Sequence, residues 1–150
     1  MRIVIQRVSQ AHVAIEGEVV GAIRHGLLIL LGITPEDTTN DADWLVGKVA
    51  RLRIFDDTEG VMNRSIMDVD EEALVVSQFT LMASYRKGNR PSYIHAAHPT
   101  IAIPLYEYFV KELELILGKH VPTGRFGADM QVSLVNDGPV TIVMDSKNPE

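Results

Sequence analysis

Cysteine is absent from the sequence, which excludes disulfides, thiolate metal sites and thiol nucleophiles. Long apolar runs are absent too: none approaches the roughly 18–20 residues that a membrane-spanning helix needs. The opening Met1-Arg2-Ile3-Val4-Ile5-Gln6-Arg7 is too short and too charged for a secretory signal, so a cytoplasmic location is the expectation. No Gly-x-Ser-x-Gly elbow occurs, which argues against an α/β-hydrolase. A phosphate-cradling P-loop and a Gly-x-Gly-x-x-Gly turn are missing as well. Positive charge is in deficit: 14 Lys and Arg against 20 Asp and Glu leave a net −6, so no global field attracts a nucleic acid.

One local deficit runs the other way. No Asp or Glu occurs between Glu72 and Glu107, and that stretch holds Arg86, Lys87 and Arg90 among Tyr85, Tyr93, His95 and His98. Cations beside aromatic and amide groups suit phosphates and unstacked bases. A solvated basic loop has the same composition, and both readings stand at this point. An acidic chain with one basic loop would bind RNA locally, with a shallow salt dependence. His95 and His98 stand at i, i+3, yet no carboxylate lies near them in sequence to complete a zinc site. No metal and no other cofactor is expected. Asp68, Asp70, Glu71 and Glu72 read as a solvated turn.

The 150 residues, 46% hydrophobic and 23% charged, suit one domain spanning 1–150 with a proper core. Alternation at Ile3 and Ile5, and again at Val13 and Ile15, reads as strand, and Glu16-Gly17-Glu18 as a hairpin turn. Gly26 to Gly32 is a short apolar run bounded by glycines, the pattern of a buried central strand. Helices are expected over 41–51, with Trp44, Leu45, Lys48 and Val49 on one face, and over 100–117, with Leu105, Phe109, Leu113 and Ile116 buried and Gly118 as cap. Strands are expected at 52–55, 73–81, 130–135 and 140–144, the last two as a closing pair. The fold class is α+β: a strand-rich, mostly antiparallel, barrel-like core with two main helices.

Two segments carry chemistry. In Val75-Val76-Ser77-Gln78-Phe79-Thr80-Leu81, strand alternation would put Gln78 and Thr80 on one face and Ser77 and Phe79 on the other. Polar side chains on an apolar strand need either protein partners or a ligand, and the spacing leaves both open. In Asn136-Asp137-Gly138-Pro139-Val140-Thr141, Asp137-Gly138 alone is a hairpin signal, and the ordinary preference of an X-Pro bond is trans.

Together these segments resemble the hallmarks of the D-aminoacyl-tRNA deacylases. So do Met62-Asn63-Arg64-Ser65, Lys87-Gly88-Asn89-Arg90-Pro91-Ser92 and Gly124-Arg125-Phe126-Gly127-Ala128-Asp129-Met130, spread along essentially the whole chain. The resemblance implies a hydrolase that cleaves the ester of D-aminoacyl-tRNA and so proofreads translation. It implies a homodimer in which Gly138-Pro139 of one subunit, with the bond cis, reaches into the site of the other. There its carbonyls would face the α-carbon and leave no room for an L side chain. Such exclusion cannot reject glycine, so glycyl-tRNA is an expected substrate. The expected catalytic set is Gln78, Phe79 and Thr80. Ser77, Met130, Gly138 and Pro139 would bind the aminoacyl-adenosine, and Arg86, Lys87 and Arg90 the tRNA. Thr80 is either a nucleophile or part of a backbone N–H cradle for the carbonyl oxygen, with the ribose 2′-hydroxyl activating water; the second scheme is favoured because no base is assigned beside Thr80. A non-catalytic RNA-binding module and a Thr80-dependent esterase are the alternatives.

Overall fold

The alternation at the start of the chain builds one strand rather than two. In the computed structural model, which describes residues 1–150, β1 runs from Arg2–Ile15 and buries Ile3, Ile5, Ala11 and Val13. Glu16 and Gly17, with φ of 51° and 82°, turn the chain into β2 (Glu18–Ile23). That strand pairs antiparallel with the back half of β1, from Ala11 opposite Ile23 to Ile15 opposite Glu18. The apolar run becomes β3 (Gly26–Gly32), antiparallel to the front half of β1. Beyond it lies β6 (Glu72–Ser77), parallel to β3. Gly26 is required where β3 meets β6: a Cβ there would sit 1.9 Å from the Glu72 carbonyl oxygen.

The other edge of β1 takes β7 (Gln131–Asp145) along its length. The two closing strands expected at 130–135 and 140–144 are therefore one strand. Both halves pair with β1 and not with each other, so Asp137-Gly138 makes no hairpin. Register shifts between Gln6 and Gln10 and at Val13/Ala14 bend the paired strands, and the sheet curls into a half-barrel.

Two main helices cover one face of the sheet. In α1 (Thr39–Arg51) the buried residues that join the main core are Ala42, Leu45, Val46 and Val49. They meet Ala102, Tyr106, Phe109 and Leu113 of α3 (Pro99–Leu117) over Ile3, Ile5, Leu27 and Ile29. Each fully buried Leu, Ile, Val or Phe among them contributes about 1.5–3 kcal/mol. The apolar face of α1 lies slightly around from the expected one. Trp44 and Lys48 are exposed, with the Lys48 ammonium 5.4 Å from the indole centroid. In α3, Leu105 and Ile116 are half-buried, and Tyr106 takes their place in the core. Its hydroxyl donates to the Val75 carbonyl at 3.1 Å, and burial pushes its pKa up to about 12.

The strand expected at 52–55 shrinks to β4 (Phe55–Asp56), paired with β5 (Met62–Arg64). A single helical turn, α2 (Ile66–Val69), follows. The strand expected at 73–81 stops at Ser77 and gives way to a 3-10 turn, Phe79–Met82.

The start of α1 is tied to the end of the chain. The Asp41 carboxylate accepts from the Thr38 N–H at 2.8 Å, the Ser146 hydroxyl at 2.7 Å and the Lys147 ammonium at 2.9 Å. Burial opposes its charge, but these bonds outweigh that and hold the carboxyl far below the usual range. A carboxyl depressed in the folded state stabilises above its unfolded pKa of about 3.9 and loses that contribution as pH falls below it. The thermal midpoint is therefore expected to stay level from pH 7 to 5 and to fall below about pH 4. In Asp41→Asn, scanning calorimetry should find a lower midpoint at pH 7 and a shallower acid limb; an unchanged acid limb would reject this role.

Candidate active site

The first motif leaves the sheet where β6 ends. Ser77 is half-buried and in register with Leu31, and the Gln78 N–H donates to the Leu31 carbonyl at 2.8 Å. The chain then closes into the 3-10 turn. Strand alternation between Gln78 and Thr80 thus does not apply, yet the turn brings their side chains together: the Gln78 amide donates to the Thr80 hydroxyl. An amide cannot take a proton at neutral pH, so the partner that the structure gives Thr80 is no general base. The turn lies directly on Gly32, where a Cβ would come 2.7 Å from the Met82 methyl and 3.0 Å from the Gln78 carbonyl oxygen. A side chain there would push on both, and glycine lets the turn sit this low.

Phe79 is 55% exposed and stands edge-on to Tyr93, with centroids 5.0 Å apart. Exposed aromatics at the end of a buried strand offer a stacking platform. From Ser84 the loop to Ser92 is pinched by two backbone hydrogen bonds of 2.8 Å, and its tip holds Arg86, Lys87 and Arg90 fully outside. None of these three cations is in an ion pair within the chain.

The second motif bulges from β7 opposite β1. The Gly138-Pro139 bond is cis, as the resemblance implies and against the ordinary X-Pro preference. Gly138 has φ +135°, and a Cβ on it would meet the Val140 side chain at 2.8 Å and the Arg7 guanidinium at 3.2 Å. The Asn136 side chain closes the segment: its carbonyl oxygen accepts from the Val140 N–H at 2.9 Å and its amide donates to the Thr141 hydroxyl at 2.9 Å.

Arg7 holds this segment from behind. It is buried and donates to the carbonyls of Asp137 at 3.0 Å and Ile54 at 2.7 Å, and to the Asp56 carboxylate at 3.2 Å. A buried guanidinium is tolerated where acceptors surround it. Sequence reasoning assigned Arg7 no role. The signal was present: Ile3, Ile5 and Arg7 share the inward parity of β1, and a charge at an inward position needs a purpose. Gly32 and Arg2 were missed as well. Arg2 reaches from the start of β1 to the Leu81 carbonyl and to Asp145. Burial works against the Asp145 charge, but bonds from the Lys147 N–H and Arg2 keep its carboxyl below the usual range.

Within one chain the two motifs stay apart. Ser77 lies level with Ile3 across the sheet, whereas Asp137 lies level with Arg7 and Ala73. Three strand spacings of about 4.8 Å and four residues at about 3.3 Å separate them, roughly 20 Å along the sheet. Met130 is half-buried, with its sulfur 2.4 Å from a Cβ placed on Gly124. It packs on the cluster of Val8, Val13, Leu74 and Val76.

The model of the family described as "D-Tyr-tRNA(Tyr) deacylase" matches residues 4–145. Proteins named D-aminoacyl-tRNA deacylase from Flavobacterium johnsoniae and Phocaeicola vulgatus are 62% and 61% identical, over the whole of both chains. A solved structure titled "c-Myc DNA Unwinding Element Binding Protein" superposes with a TM-score of 0.90 at 40% identity, covering 97% of this chain and 98% of that one. One titled as a probable eukaryotic D-amino acid tRNA deacylase gives 0.82 at 17% identity, covering 95% and 97%, and shares the fold.

Proposed function

The chain belongs to the D-Tyr-tRNA(Tyr) deacylase family, and from that premise we propose that it hydrolyses D-aminoacyl-tRNA at a site assembled from two copies of itself. The 77–80 turn is the floor on which the ester lies. The 136–141 segment of a second subunit is the chiral wall above it.

The observation that carries this reading is the separation of the two motifs within one protomer. The path from Ser77 to Asp137, roughly 20 Å along the sheet, exceeds the length of an aminoacyl group. A second copy can supply the missing half. The outer edge of β7 supports it. This 15-residue strand pairs with β1 on one side only, and no side chain along it is fully buried. Val135 and Val143 are 48% and 63% exposed. A long apolar strand edge of this kind is ordinarily covered.

On the floor, the N–H groups of Phe79 and Thr80 receive the carbonyl oxygen as it gains negative charge, the commonest large term in acyl transfer. Gln78 orients the Thr80 hydroxyl, and Phe79 with Met130 supports the terminal adenosine. Water attacks with help from the ribose 2′-hydroxyl. An aminoacyl ester is activated, so no stronger base is needed. On the wall, the carbonyls at Gly138-Pro139 accept from the substrate ammonium and occupy the space of an L side chain. Arg7 and Asn136 hold that wall still, and exclusion needs rigidity more than affinity. Arg86, Lys87 and Arg90 take the phosphates of the tRNA strand.

The decisive assay compares D-tyrosyl-, L-tyrosyl- and glycyl-tRNA. D-Tyrosyl- and glycyl-tRNA should be cleaved and L-tyrosyl-tRNA spared. Equal rates on the two enantiomers reject the chiral wall, and tRNA binding without cleavage returns the chain to a binding module. Sedimentation of the active enzyme should report twice the 16.6 kDa chain mass, and full activity in a monomer rejects the composite site. Thr80→Ala should lose no more than about tenfold in kcat, because its backbone N–H survives, whereas removing a true nucleophile costs on the order of a millionfold.

A further inference from the structure

The 3-10 turn that carries Phe79 and Thr80 is four residues long. Such a turn has poor internal hydrogen bonding and does not hold its own shape. Here the Leu81 N–H reaches the Gln78 carbonyl at 3.2 Å and the Ala83 N–H the Thr80 carbonyl at 3.1 Å. Anything that depends on where the Phe79 and Thr80 N–H groups point therefore depends on what fixes the two ends of the turn. Its entry is fixed by the sheet, through the Gln78 N–H on Leu31. At its exit Met82 is buried against Gly32 and the Ser84–Ser92 pair closes two residues on, and one side chain binds a carbonyl of the turn itself. The Arg2 Nη1 donates to the Leu81 carbonyl at 2.8 Å.

Arg2 is itself aligned. Its Nε and Nη2 both donate to Oδ2 of Asp145, at 3.1 and 2.8 Å. Three of its N–H directions are thus used, two on β7 and one on the turn, and a planar guanidinium so engaged cannot swing. Lysine could keep the charge pair, but not the fork that spans both partners. The alternative is an ordinary surface ion pair. The Arg2 side chain is 38% exposed, and pairs this open to solvent contribute only about 0–1 kcal/mol to stability. The bond to Leu81 is the part that this alternative leaves without a purpose.

We propose that Arg2 is a positioning residue for ester cleavage: aligned by Asp145, it clamps the Leu81 carbonyl and so sets the direction of the Phe79 and Thr80 N–H groups. This role rests on the backbone cradle described for the proposed function. It also joins the floor to β7, the strand that carries the wall, through one residue.

The test is steady-state kinetics on D-tyrosyl-tRNA with Arg2→Met, Arg2→Lys, Asp145→Asn and the double variant Arg2→Met/Asp145→Asn, each with a melting curve. Misplacing a reacting group by about 1 Å costs up to roughly a hundredfold in rate. Both Arg2 variants should lose roughly ten- to hundredfold in kcat with KM within about twofold, and the melting midpoint should fall by only a few degrees. Arg2→Lys should not rescue. The double variant should be no slower than Arg2→Met, because Asp145 acts through Arg2. Wild-type kcat in Arg2→Met overturns the clamp, as do multiplying losses in the double variant or a stability loss large enough to account for the rate. An inactive wild-type enzyme overturns the cradle reading together with the clamp, whereas an active wild type beside an unimpaired Arg2→Met removes the clamp alone.

Discussion

Strand β1 is hydrogen-bonded on both edges, and the rest of the molecule is placed by that fact. On one side its front half registers β3 and its back half β2; on the other it registers all of β7. A slip of one residue would turn Ile3, Ile5, Ala11 and Val13 out of the core and carry three strands with them. The parity that buries Ile3 and Ile5 also sends Arg7 inward, whereas past the register shifts Ala11 and Val13 join Val8 in the second cluster. The same residues that fix the register thus determine where the buried guanidinium meets the 136–141 segment.

The turn after Ser77 and the 136–141 segment are built alike. Each is a short irregular backbone segment that leaves a regular strand, and neither is held by its own hydrogen bonds alone. A glycine lets each sit close to its support, Gly32 under the turn and Gly138 against Arg7. An arginine of β1 holds each carbonyl end, Arg2 on Leu81 and Arg7 on Asp137. Irregular backbone delivers N–H and C=O groups in directions that helices and strands use up internally. Chemistry carried by backbone groups then comes to depend on the side chains that brace them.

Much of the fold was legible in the sequence because its signals are local. The glycine-bounded run 26–32, the turn at Glu16-Gly17 and both long helices follow from patterns within a dozen residues. The failures were non-local. Residues 130–135 and 140–144 look like a hairpin because Asp137-Gly138 is a turn signal; that both halves lie along β1 depends on a strand more than a hundred positions earlier. Residues 73–81 read as one strand because apolar residues recur through to Leu81, and Gly32, far away in sequence, is what lets the chain fold down after Ser77. The candidate site residues were legible as motifs, and their separation in one protomer was not. Arg2 and Arg7 looked like ordinary charges at the start of a strand.

The pinched loop from Ser84 to Ser92 has a consequence for encounter. The body of the protein carries net negative charge and repels a polyanion from most directions. The loop holds three unpaired cations clear of that body, and the field of each extends about 8 Å at physiological salt. Under the proposed function, an approaching RNA would feel a torque before a contact and turn until its strand meets the loop. That torque is blind to the amino acid at the strand's end. Under that reading D-, L- and uncharged tRNA would be captured alike, and fidelity would arise after capture, in how long each stays and not in how often each arrives.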